Sequence, residues 1–212
     1  MKKISILLMA MMIAVGVAAV DNKYEKSMSD AIEKLYEHQN MDDLKSVAAT
    51  FERIAQAGTK EWLPSYYASL SYIWMTHQTD DKDKIDQFLD VAQQKLDECK
   101  NIVSDNDDVH ALQGYIYMMR VTVDPPSRGS QYSPMSMGEF QKALAINENN
   151  ARALLLMGQM KYGTDQFFGN DVSDACNMIK EAAQRLDNEQ PDSKLAPAWG
   201  KGMAQYLIQA CN

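Results

Sequence analysis

The sequence predicts an all-α fold built of antiparallel helix pairs, and three observations carry the expectation. Apolar residues recur at helical spacing along nearly the whole chain after residue 24. No stretch of comparable length alternates with period two, as a half-buried strand would. A small residue also recurs in alternate helices, at Ala68, Gly114, Gly158 and Gly202, with intervals of 46, 44 and 44 residues.

The chain begins differently from the way it continues. Lys2 and Lys3 precede an apolar run from Ile4 to Val15, followed by small residues at Val17, Ala18 and Ala19. This is the pattern of a secretory signal peptide, read here as residues 1–19 with cleavage after Ala19. The run is short for a bilayer-spanning helix. Residues 20–212 are then expected to form one exported helical domain, in the periplasm or secreted. Loss of two lysines with the leader takes the formal charge from −8 to −10. An acidic surface repels phosphate backbones and anionic lipid, so nucleic acid and membrane insertion of the mature chain are not expected.

Helices are placed near 24–39, 42–57, 61–77, 83–103, 108–122, 136–147, 150–163, 171–187 and 195–210. In the second, Leu44, Val47, Ala48, Phe51 and Ala55 form one apolar stripe; in the fourth, Ile85, Phe88, Leu89, Ala92, Leu96, Cys99 and Val103 do. The eighth carries Val172, Ala175, Cys176, Ile179, Ala183 and Leu186. Asp80, Asp81 and Asp83, and Asp105, Asp107 and Asp108, each stand before a helix, where carboxylates cap free N–H groups and oppose the helix dipole. Neither cluster has the glycine and terminal glutamate of a calcium loop. Two linkers are long for a helix pair. Val123 to Pro134 contains Pro125, Pro126, Arg128 and Gly129; Thr164 to Asn170 carries Phe167 and Phe168, of which at least one is expected to fold back as a lid on the helix ends.

The repeat extends beyond the small residues. Two places later come Leu70, Ile116, Met160 and Ala204, and four places later Tyr72, Met118, Tyr162 and Tyr206. Glycine inside a helix costs up to about 1 kcal/mol against alanine, so its recurrence asks for close approach of a neighbouring helix.

The segment from Gln141 through Ala143, Leu144, Ala145, Asn147 and Asn150 to Arg152 and Leu154, continuing to Gly158 and Tyr162, resembles the junction between two tetratricopeptide repeats. Glu148 stands where the turn proline is usual. Ala111, Gly114 and Tyr117 fit the first-helix pattern, and Trp199 and Gly202 fit it with a one-residue shift. The whole chain is similar to small exported bacterial tetratricopeptide proteins, including those with a cluster like Trp62, Leu63, Pro64, Tyr66 and Tyr67. The resemblance implies a right-handed α-solenoid of about four repeats plus a C-terminal helix, with first helices lining a concave surface.

Catalytic chemistry has little to build on. His38, His77 and His110 are scattered and are expected at the surface or at helix ends; no HExxH, GxSxG or phosphate-binding glycine loop occurs. Neither a cofactor nor a metal is expected, and the chain is read as no enzyme. Cys99, Cys176 and Cys211 allow at most one internal bridge. Antiparallel docking of the last two helices brings Cys176 and Cys211 to similar heights, so a bridge is geometrically open, against the alternative that Cys176 is a buried thiol. Cys99 is expected to stay reduced.

The candidate partner-binding residues are Trp62, Tyr72, Tyr115, Arg128, Arg152, Tyr162, Trp199 and Tyr206. The aromatics either face a groove, where they give large contact area at low entropy cost, or fill the core between repeats. Arg128 either holds a partner's carboxylate or pairs internally. The functional expectation is an exported helical-repeat scaffold for a protein or peptide partner. The alternative is a small-ligand receptor with an aromatic-lined groove.

Overall fold

A computed structural model describes residues 23–58 and 60–211; the leader and its cleavage point lie outside them. The helices are α1 (23–36), α2 (Met41–Gln56), α3 (Leu63–Met75), α4 (Lys82–Lys100), α5 (Asp107–Val123), α6 (Pro125–Ile146), α7 (Ala151–Phe168), α8 (Ser173–Asn188) and α9 (Lys201–Ala210). A short 3₁₀ turn, Thr76–Gln78, follows α3. No strand occurs among the described residues.

Side chains that compete with helix in mid-segment here start helices instead. Asn40 accepts from the N–H groups of Asp42 and Asp43, Asp81 from those of Asp83 and Lys84, Asn106 from Val109, and Asn150 from Ala153. The acidic clusters therefore serve α4 and α5 as caps and first-turn charges. Short links join successive helices from α2 to α8, which pack on their sequence neighbours, and α3, α5 and α7 also stack on one another. This is an all-α helical-repeat fold. One core cluster runs through α1 to α5 and takes in Phe140 of α6 with Leu156, Met160, Leu195 and Trp199; a second joins α7, α8 and α9.

Three expected boundaries are corrected. The Val123–Pro134 linker is helix: α6 begins at Pro125, leaving only Asp124 between it and α5. Pro125 and Pro126 occupy the first turn, where no intrahelical N–H is needed. Pro134 lies inside α6 but is exposed, so its ring and the carbonyl it leaves unpaired face solvent. Likewise α7 runs through the expected second linker to Phe168 and stops at Gly169, whose φ of 72° lets Asn170 N–H bond back to Asp165 O at 2.8 Å. Phe167 and Phe168 do not fold back as a lid; they are 63% and 70% exposed and pack edge-on against each other. Finally, the last helix starts at Lys201 rather than 195, and residues 195–200 are irregular.

The repeat register holds in α3, α5 and α7. Ala68 is fully buried, a Cβ on Gly114 would stand 2.3 Å from the Phe140 ring, and one on Gly158 would stand 3.0 Å from Ile179 Cγ1. Ser136, also fully buried, donates to the Gly114 carbonyl at 2.8 Å across the same close approach. In α9 the register is only partly kept. Ala204 is buried like Leu70, Ile116 and Met160, but nothing lies within 4 Å of a Cβ on Gly202, and Tyr206 is exposed.

Cys176 and Cys211 form a disulfide, with Cα atoms 5.6 Å apart, that ties the end of α9 to α8. Cys99 is a free, buried thiol, and burial pushes its pKa up to about 12.

Candidate functional site

The irregular segment 195–200 is the feature that shapes the site. It lies across α3, α5 and α7, held by tyrosines far away in sequence. Tyr67 donates to the Leu195 carbonyl at 2.9 Å, and the Ala198 N–H donates to Tyr36 Oη at 3.1 Å. Tyr36 and Tyr67 hydroxyls meet at 3.4 Å, completing a chain from one backbone group of the segment to another. Trp199 Nε1–H donates to Tyr66 Oη at 2.9 Å, and its ring stacks on Tyr115 at 5.8 Å. Burial holds the phenols of Tyr36, Tyr66 and Tyr67 above the usual tyrosine range, so they remain neutral donors. Gly200, at φ 115°, turns the chain into α9 with Leu186 Cδ1 only 3.3 Å from where a Cβ would be.

Beside this strap opens a cleft of about 530 Å³. The end of α1 supplies Tyr36 and His38, the end of α3 supplies Trp74, His77 and Gln78, and α5 supplies Tyr115; the strap and the start of α9 close the other side with Trp199, Lys201 and Met203. His38 lies against Trp74 at 5.2 Å between ring centres, and its Nδ1 is 2.8 Å from the Leu35 carbonyl. His77 Nε2 meets Tyr115 Oη at 2.9 Å, and loss of surrounding water keeps its pKa below the usual histidine range. The lining contains no carboxylate, although the chain carries a net charge of −8. A second hollow of similar size between α1 and α2 is a mixed-charge surface furrow lined by Asp30, Lys34, Glu37, Asp43 and Arg53, and His38 borders both hollows. No group of three or more His, Cys, Asp or Glu side chains arranged to hold a metal ion occurs among the described residues.

The eight candidate residues separate into distinct environments. Tyr115 and Trp199 are buried and meet at the cleft wall. Trp62 precedes α3, half-buried and edge-on to Tyr66. Tyr72 is half-buried and donates to Glu52 at 3.1 Å, while Tyr162 donates to the Ala210 carbonyl at 3.1 Å beside the second core cluster. Arg128 forms a two-pronged pair with Asp86, at 2.6 and 2.7 Å, which holds the Asp86 carboxyl below its ordinary pKa. Arg152 is 5% exposed and is held by Glu189 at 2.7 and 2.9 Å and by Asp108 at 3.1 Å. Tyr206 stands in solvent, 73% exposed.

The sequence matches no protein-family model and no curated protein. Two solved structures share its architecture. The HusA haemophore from Porphyromonas gingivalis aligns over 89% of this chain and 92% of its own, with TM-score 0.79 and 23% identity. A thermophilic TPR protein from Thermus thermophilus aligns over 92% of this chain and 93% of its own, with TM-score 0.54 and 11% identity. The fold is a tetratricopeptide-like helical repeat. At these identities the likeness establishes the fold alone and leaves the role to be argued from the cleft.

Tyr36, His38, Trp74, His77, Lys201 and Met203 reach the cleft from outside the candidate set. Trp74 and Tyr36 carry an apolar body and a polar handle, which marks them equally for core or interface. His38 and His77 do sit at or beyond helix ends, as their spacing suggests; what the spacing omits is that three such ends converge. No helix among the described residues is long and apolar enough to cross a membrane.

Proposed function

We propose that this protein is an exported binding protein for a flat, anionic aromatic molecule of the porphyrin class, held in the cleft beside the 195–200 strap. The observation that carries the reading is the lining itself: aromatic faces from Tyr36, Trp74, Tyr115 and Trp199, one lysine, two imidazoles and no carboxylate. Aromatic walls favour a planar partner through stacking. An acid-free mouth with Lys201 favours a ligand bearing carboxylates, since every Asp or Glu in the lining would repel it. The volume of about 530 Å³ falls within the roughly 300–1,000 Å³ range of small-molecule sites. One of the two similar structures is named a haemophore, which agrees with this cargo class. Export rests on the leader-like residues 1–19 and on the Cys176–Cys211 bridge, which suits an oxidising compartment.

A peptide along the inner helices is the weaker occupant, because the strap already covers Tyr66, Tyr67 and Tyr115 there. A protein partner on another face is the second reading. It is favoured by the exposed Phe167 and Phe168 pair, and cross-linking in the native envelope would recover it.

The test is a titration of the mature protein with metal-free protoporphyrin, followed by tryptophan quenching. Saturable one-to-one binding is expected. Trp74→Ala should weaken it by roughly thirtyfold, the loss of an anchor worth about 2 kcal/mol, with circular dichroism confirming that the variant folds. Absence of saturable quenching in the unaltered protein would reject the reading.

A further inference from the structure

Of the two imidazoles in the cleft, one has its ring nitrogens assigned by its surroundings. His38 Nδ1 lies 2.8 Å from the Leu35 carbonyl oxygen. A carbonyl only accepts, so Nδ1 carries the proton, and in the neutral ring the lone pair falls on Nε2. Nε2 makes no hydrogen bond or ion pair among the described residues. The ring is also fixed in place. Leu35 is fully buried, Tyr36 is held by Ala198 and Tyr67, and the imidazole plane lies against Trp74 at 32°. A histidine that donates one ring N–H to a backbone carbonyl and leaves the other nitrogen bare is the arrangement by which proteins preset an imidazole for metal. His77 differs, because its Nε2 is already engaged by Tyr115 Oη at 2.9 Å.

We propose that His38 Nε2 is an iron ligand for haem held in this cleft. The inference rests on the porphyrin reading above and adds to it the metal and the atom that takes it. The donor set fits the group: a neutral imidazole with its tautomer fixed, aromatic walls for the macrocycle and Lys201 for a propionate, with no carboxylate lining the cleft to compete for the iron. Ligation is a Lewis pairing in which Nε2 donates its lone pair and a water leaves the iron; no electron is transferred. The Leu35 carbonyl makes the imidazole a stronger donor by accepting its Nδ1–H.

The experiment compares ferric haem with metal-free protoporphyrin on the unaltered protein, His38→Ala, His38→Gln and His77→Ala, with circular dichroism confirming that each variant folds. The unaltered protein is expected to bind both. Both His38 substitutions should weaken haem by at least about tenfold more than they weaken protoporphyrin, the scale of loss on disturbing a metal site; equal loss for the two would mean that His38 acts only as part of the cleft wall. They should also shift the haem Soret band and the ferric electron-paramagnetic-resonance spectrum, with free imidazole restoring both for His38→Ala. His77→Ala should leave the spectra as they are. Unaltered haem spectra in folded His38 variants that still bind protoporphyrin would overturn the ligand assignment alone. Failure of the unaltered protein to bind either porphyrin would overturn the porphyrin reading and this inference with it.

Discussion

Arg152 shows how a single residue can carry two opposite meanings in a sequence. On a first helix it has the position of a groove residue, yet its guanidinium is buried against Asp108 and Glu189, and Asn150 bonds to Asp107 and Asp108 beside it. The cluster joins the start of α5, the start of α7 and the residue after α8, so it locks three helix ends in register. Burial raises the Asp108 pKa against the pull of Arg152, while Arg152 remains charged. Arg152→Leu should therefore cost about 3–5 kcal/mol, because it strands a buried carboxylate rather than merely losing a bond. Urea denaturation measures this. A loss under about 1 kcal/mol, the worth of a surface pair, would mean that water reaches Asp108.

Between elements, the decisive contacts are backbone-close approaches made possible by absent side chains. Gly114 in α5 receives the Phe140 ring of α6, and Phe140 is itself fully buried and cannot swing away. Gly114→Ala is expected to cost about 1–3 kcal/mol by overpacking, despite alanine's better helix propensity. Phe140→Leu in the same chain should return part of that loss. Gly202→Ala, with open space at its Cβ, should leave the melting temperature within error of the unaltered protein. Equal effects at Gly114 and Gly202 would contradict the packing described for α5 and α6.

At the scale of the whole molecule, the C-terminal segment closes the structure on itself. Residues 195–199 are bound by Tyr36, Tyr66 and Tyr67 near the other end of the described chain, and the Cys176–Cys211 bridge secures the helix that follows. The bridge spans 35 residues, for which the chain-entropy view gives about 3–4 kcal/mol. Replacing both cysteines with serine should lower stability by that order in chemical denaturation. It should also weaken the porphyrin binding proposed above, because α9 and the strap form one side of the cleft. Non-reducing peptide mapping of protein purified without reductant is the direct check: a Cys176–Cys211 peptide pair is expected, and Cys176 found only as free thiol would exclude the bridge.

The sequence by itself determined the helices and their pairing, because apolar stripes such as Leu44–Val47–Ala48–Phe51 and caps such as Asn40, Asp81 and Asn150 act within a few residues of chain. The recurrence of small residues located the close approaches at Gly114 and Gly158 but not at Gly202, where the space is open, because whether a helical glycine meets a neighbour depends on what packs opposite it. Proline and glycine in the sequence misled at α6, since whether Pro134 breaks a helix depends on which face of the helix meets water. The cleft was legible only in part, through Tyr115 and Trp199. Its other walls are His38, Trp74 and Lys201, brought together by a strap whose hydrogen bonds span more than a hundred residues, such as that from Tyr67 to Leu195. Periodicity and capping report neighbours along one chain segment; only tertiary closure decides which distant helix ends share a wall, because that depends on how all the pairs stack at once.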